Sequence, residues 1–173
     1  MRRLTILVTP IDCVGHVNAC AGSTAPLLKR GHRVIFVVEK AFKGKLATLG
    51  FEEDTYELQT DGVGNNAGET WANDLFTKGV IGPYPLEAKY EALLTVFHYT
   101  PRAIEVVKQS NLFIENAIKK YQPDLIWFDA AYIWPSIYYS GIPWVLNMSL
   151  TPVIYISCDT DEVPPNGSGN ISD

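Results

Sequence analysis

The stretch LTILVTPIDCVGHVNACAGSTAPLLKRGHRVIFVVE, residues 4–39, decides the architecture. Its first six residues, LTILVT, are apolar and β-prone, which is the pattern of a buried strand that Pro10 stops. Residues 17–30 read as a helix, closed by Gly31 with Lys29 and Arg30 in the last turn. Pro26 lies inside that helix, where it removes a backbone donor and predicts a kink or an irregular start. RVIFVVE, residues 33–39, is a second buried strand. Strand, helix and strand in this order make the repeating unit of a parallel sheet.

The rhythm continues outward. Residues 40–50 predict a short helix stopped at Gly50, and 51–58 a third strand nearer an edge. It then breaks at QTDGVGNNAG (59–68), a loop, and at GVIGPYP (79–85), a second loop, with a helical turn in ETWANDLFTK between them. Helical periodicity returns over 86–98 and again from Pro101 to Tyr121, where Ile104, Val107, Ile114 and Ile118 share one face. PDLIWFD is a fourth strand, WPSIYYSG a short helix, and IPWVLNMS a fifth strand. From 151 to 173 the chain is rich in Pro, Gly, Ser and acidic residues, with no period. The expectation is an α/β, doubly wound, Rossmann-like parallel sheet over residues 1–150, followed by an irregular tail over 151–173.

Composition excludes several classes. The chain has 173 residues, 47% of them hydrophobic and 19% charged, a globular balance with room for one core. The net charge of −5 gives no general attraction to nucleic acid or anionic membranes, so neither is expected as a partner. No apolar run is long enough to span a bilayer, and the N-terminus lacks the long apolar region and cleavage site of a signal peptide, so the expected location is the cytoplasm. Asn147, Asn166 and Asn170 each begin a glycosylation sequon, which has no meaning without secretion. Three cysteines suggest no disulfide framework.

The turn after the first strand admits three chemistries. Cys13, His16 and Cys20 are zinc-type ligands, but a structural site wants a fourth, and Cys158 is far off in the tail. A dinucleotide fold wants a G-x-G-x-x-G turn; only Gly15 and Gly22 are present, at the wrong spacing, although Glu39 mimics the acidic ribose ligand at the end of the second strand. The third chemistry makes His16 a general base, its second ring nitrogen held by a carboxylate. Asp129 ends the fourth strand, so in a parallel sheet it shares an edge with His16. The plainer alternatives are a polar residue opening a helix and an aspartate capping the next one. His32 and His98 are read as structural, His32 in the helix-to-strand turn on the opposite edge of the sheet.

GHVNACAGSTAPLLKRGHRVIFV resembles the N-terminal stretch of family 1 UDP-glycosyltransferases of the GT-B fold. Gly15-His16-Val17-Asn18 matches that family's Gly-His-x-Asn element, and Leu27 to Val34 its helix end and following strand. PDLIWFDAAYIWPSIYYSGIPWVLNMS is similar to its strand–Asp–helix–Gly-Ile-Pro segment. Ala19 stands where the family often has Pro, and Pro26 is unusual in that helix. The resemblance implies the N-terminal, acceptor-binding domain of an inverting enzyme. In it His16 is the base and Asp129 orients it, while Gly15 and Asn18 touch the donor sugar or phosphate. A UDP-sugar serves as co-substrate, with no cofactor and no metal.

The resemblance also implies an acceptor pocket for a small lipophilic molecule, with Ile11, Val14, Trp71, Phe76, Phe97, Tyr132 and Ile133 as candidate lining. No stretch matches the half that holds the nucleotide-sugar in that family, so the sequence reads as a truncated first domain. Two alternatives stay open. One is a non-catalytic half that only binds lipophilic ligands; the other is an unrelated nucleotide-cofactor enzyme of the same doubly wound class.

Overall fold

The computed structural model describes residues 2–59, 67–97 and 101–149. Five parallel strands form one sheet: β1 (Thr5–Pro10), β2 (Arg33–Glu39), β3 (Glu52–Tyr56), β4 (Leu125–Asp129) and β5 (Trp144–Leu146). Their order is β3-β2-β1-β4-β5, with every neighbouring pair parallel. Helix α1 (Val14–Lys29) links β1 to β2, α2 (Ala67–Thr77), α3 (Leu86–Phe97) and α4 (Pro101–Tyr121) lie between β3 and β4, and the single turn α5 (Pro135–Tyr138) precedes β5.

Side-chain alternation along the strands builds two cores, one on each face of the sheet. Ile6, Val8, Val34, Phe36 and Val38 meet Val17, Cys20 and Ala21 of α1 on one face. Leu7, Ile35, Val37, Ile126 and Phe128 meet Ile114 and Ala117 of α4, with Trp134 and Ile137 around α5, on the other. A strand buried on both faces must be apolar throughout, which is why LTILVT and RVIFVVE show no polar alternation. Trp134 is 2% exposed, and its indole N–H donates to Ser110 Oγ of α4 at 2.9 Å.

Two details differ from the sequence reading. Helix α1 begins at Val14, three residues early, and no capping side chain marks its start, since Cys13 holds the N-cap position with no side-chain hydrogen bond. Pro26 sits within that helix without ending it. Residues 40–50 form two 3₁₀ turns, Lys40–Phe42 and Ala47–Leu49, instead of one helix. There the Glu53 carboxylate accepts the backbone N–H groups of Gly44, Leu46 and Ala47 at 2.7–2.9 Å, drawing off donors that a helix would use. The tail, Cys158, the sequons at 166 and 170, and His98 lie outside the described residues.

Candidate active site

The sheet reverses its winding between β1 and β4. The β1–α1–β2 crossover runs one way from β1, and the chain returns from β3 to place β4 on the other side. Such a switch point opens a crevice beyond the carboxyl ends of its two strands, because the two connections diverge there. The last residues of both strands, Pro10 and Asp129, are register partners. His16 is the third residue of α1, directly above.

The two side chains meet. His16 Nδ1 lies 2.8 Å from Asp129 Oδ1, with the His16 side chain 14% exposed and that of Asp129 3%. Asp129 Oδ2 accepts Asn147 Nδ2 at 2.7 Å, and its Oδ1 also accepts the Ser149 hydroxyl at 3.0 Å. Ser149 Oγ stands 3.0 Å from His16 Nδ1 as well. Burial pushes the Asp129 carboxyl up, but the hydrogen bonds from His16, Asn147 and Ser149, with the attraction of a charged His16, hold it below the ordinary carboxylate value. An ionised Asp129 favours the His16 tautomer with its proton on Nδ1, the one in which Nε2 carries the lone pair. Asp129 does not cap a helix, since the N-cap of α5 is Trp134.

The remaining candidates separate. Gly15 and Asn18 are exposed on the first turns of α1. A Cβ built on Gly15 meets nothing within 4 Å, so packing within the chain does not require glycine there. Tyr132 and Ile133 line an apolar cavity of about 260 Å³ with Phe128, Ala130, Tyr138, Trp144 and Leu146, and Asp129 is not part of its wall. Ile11 packs against the core, whereas Val14 (59%) and Phe76 (61%) are exposed. The side chains of Trp71 and Phe97 lie outside the described residues. Among the described residues no three His, Cys, Asp or Glu side chains gather to hold a metal ion; burial pushes the Cys13 thiol up to about 11 and that of Cys20 to about 12.

Sequence reasoning missed Asn147 and Ser149. Both follow β5, which is parallel to β4, so the edge argument that paired His16 with Asp129 extends to them. Only the sequon pattern drew notice at Asn147.

No family model matches the chain, and no curated protein does. Solved structures do. The kitacinnamycin glycosyltransferase superposes with a TM-score of 0.57 at 18% identity, covering 90% of this chain and 33% of that one. SsfS6, a glycosyltransferase of Streptomyces sp. SF2575 complexed with thymidine diphosphate, gives 0.56 at 16%, covering 84% and 38%. The spinosyn rhamnosyltransferase SpnG, also with thymidine diphosphate, gives 0.52 at 14%, covering 84% and 35%. The fold is that of the N-terminal domain of GT-B glycosyltransferases. This chain spans about a third of the length of the GT-B structures it matches. Among the described residues no helix is long and apolar enough to cross a membrane.

Proposed function

We propose that residues 1–150 form the acceptor-side domain of an inverting glycosyltransferase, which moves a sugar from a nucleotide-sugar to a hydroxyl of a small lipophilic acceptor. The observation that carries the reading is the 2.8 Å contact of His16 Nδ1 with Asp129 Oδ1 at the switch point of a GT-B-type sheet. His16 Nε2 takes the acceptor's proton as its oxygen bonds to the anomeric carbon. The bond from that carbon to the diphosphate breaks, the nucleoside diphosphate leaves with the electron pair, and attack from the opposite face inverts the configuration. Asp129 stabilises the imidazolium that forms.

UDP is taken as the nucleotide on the resemblance of Gly15-His16-Val17-Asn18 to the Gly-His-x-Asn element of family 1 UDP-glycosyltransferases. Gly15 and Asn18 offer the N-terminal end of α1, where unpaired N–H groups favour a phosphate or sugar oxygen. The cavity walled by Tyr132, Ile133 and Trp144 suits an apolar acceptor.

The test is transfer from UDP-glucose to a lipophilic phenol in the full-length protein. His16→Ala should lower the rate by about 10²- to 10⁴-fold while the far-UV dichroism stays unchanged. Asp129→Asn should lower it by a comparable or smaller factor. Full turnover in His16→Ala would refute the assignment of the base, and phenol binding without transfer in the wild type would favour a non-catalytic lipophile-binding domain.

A further inference from the structure

Asp12 lies in the turn between β1 and α1, four residues before His16, and is 6% exposed. One carboxylate oxygen accepts the backbone N–H of Glu39, the last residue of β2, at 2.7 Å. The other accepts the hydroxyl of Tyr56, the last residue of β3. Tyr56 stacks on Phe113 of α4, ring centroids 4.8 Å apart and planes within 11°. A single side chain therefore ties the turn to two strand ends and, through Tyr56, to a helix.

The same turn is fixed from its other side. Ile11 N–H donates to the Asp129 carbonyl at 2.9 Å, Cys13 N–H to the Ile11 carbonyl at 2.6 Å, and Val17 N–H to the Cys13 carbonyl at 3.0 Å, closing the first turn of α1. The path from Asp12 to His16 is thus four residues long and is held at Ile11, Cys13 and Val17. Burying a carboxylate is costly, and an apolar residue could fill this place more cheaply. The proposed sugar transfer makes no direct use of Asp12.

We propose that Asp12 is a positioning residue: by pinning the β1–α1 turn to the ends of β2 and β3, it holds the first turn of α1 so that the His16 ring stays on Asp129. This inference rests on the reading of His16 as the base. The titratable groups facing Asp12 are Tyr56 from β3, Cys13 in the same turn and Tyr132 after β4, and the charge of Glu39 from β2 acts on Tyr56. Burial, with the charge of Asp12, pushes the two phenols and the thiol upward, so Asp12 ionises well before Tyr56, Tyr132 and Cys13. A displacement of the base by about 1 Å costs on the order of 10²-fold in rate, so small errors in this turn matter.

The test is NMR of the chain labelled with ¹⁵N in its histidine rings, at pH 7.5. The reporter is the slowly exchanging Nδ1–H of His16, assigned by its loss in His16→Gln. His32 does not compete for the assignment, because its Nδ1 accepts Leu4 N–H at 3.1 Å. Asp12→Ala should abolish the signal or speed its exchange at least tenfold. Asp12→Asn keeps an acceptor for Glu39 N–H and a polar contact to Tyr56, and should hold exchange within about twofold of wild type. Tyr56→Phe, which keeps the ring on Phe113, should give an intermediate rate and decides the matter if Asp12→Ala does not fold. Exchange also runs through unfolding, so each rate is compared with the urea-unfolding free energy of the same variant: a speed-up beyond what that loss of stability accounts for supports the proposal, and one no larger overturns it. A wild-type signal in both Asp12→Ala and Tyr56→Phe, or its loss in Asp12→Asn, overturns the proposal and leaves the role of His16 standing. Absence of the signal from the wild type overturns both.

Discussion

Two buried aspartates lie on one sheet edge, and their surroundings drive them in opposite directions. Asp129, below its ordinary value, favours folding when ionised; that stability is complete above the unfolded value of about 4 and is lost as pH falls through the folded one. Asp12 is pushed up to about 6 by burial, against the hydrogen bonds from Tyr56 and the Glu39 N–H. Folding therefore binds its proton, and the stability from this group is complete below about pH 4 and declines until the pH passes about 6. A rise of about two pH units corresponds to roughly 3 kcal/mol. Asp12→Asn should remove that decline, so the urea midpoints of wild type and variant should diverge between pH 4 and 7, with the variant the more stable. Parallel profiles would show that the carboxyl is not held in the dry setting described. Of these residues only Asp129 was legible in the sequence, since it follows a fully apolar strand. Asp12 was not: an acid next to a proline turn looks solvated until the ends of β2 and β3 are known to close over it.

At the scale of elements, α1 gives up stability in two places. Gly15 sits in its first turn with open space where a Cβ would be, and Pro26 lies in its interior. Glycine inside a helix costs about 0.5–1 kcal/mol relative to alanine. Gly15→Ala should therefore raise the thermal midpoint. If α1 meets the donor as proposed, the same change should raise KM for the nucleotide-sugar, because the new methyl occupies the approach. A variant that gains stability with unchanged KM would remove Gly15 from the donor site. The inner strands β1, β2 and β4 were readable because burial on both faces forces apolar runs. The start of α1 was not, since helices usually announce their first turn by a cap and this one has none. The 3₁₀ turns after β2 were hidden because Glu53, the acid that claims their backbone donors, comes from β3.

The described residues bring His16, Asp129 and the N-terminal end of α1 together on the carboxyl edge of the sheet, where the proposed reading puts the base, its orienting acid and a donor contact. Holding a nucleotide-sugar asks for more than these groups. A contact at a helix N-terminus contributes about 0.3–1 kcal/mol, while association costs at least about 4 kcal/mol of lost freedom. The base accelerates transfer only when the anomeric carbon is held in line with the acceptor oxygen. The 173-residue chain by itself should thus bind UDP-glucose no more tightly than millimolar in calorimetry and transfer no sugar above background. It should still bind a lipophilic phenol, because the apolar cavity is walled by its own Phe128, Tyr132, Ile133 and Trp144. Phenol binding should quench tryptophan emission, and Trp144→Ala should weaken that response, since this indole is 43% exposed and lines the cavity. Micromolar binding of the nucleotide-sugar to this chain would mean that α1 and the β1–β4 crevice hold the donor unaided, and the division of labour proposed here would fail.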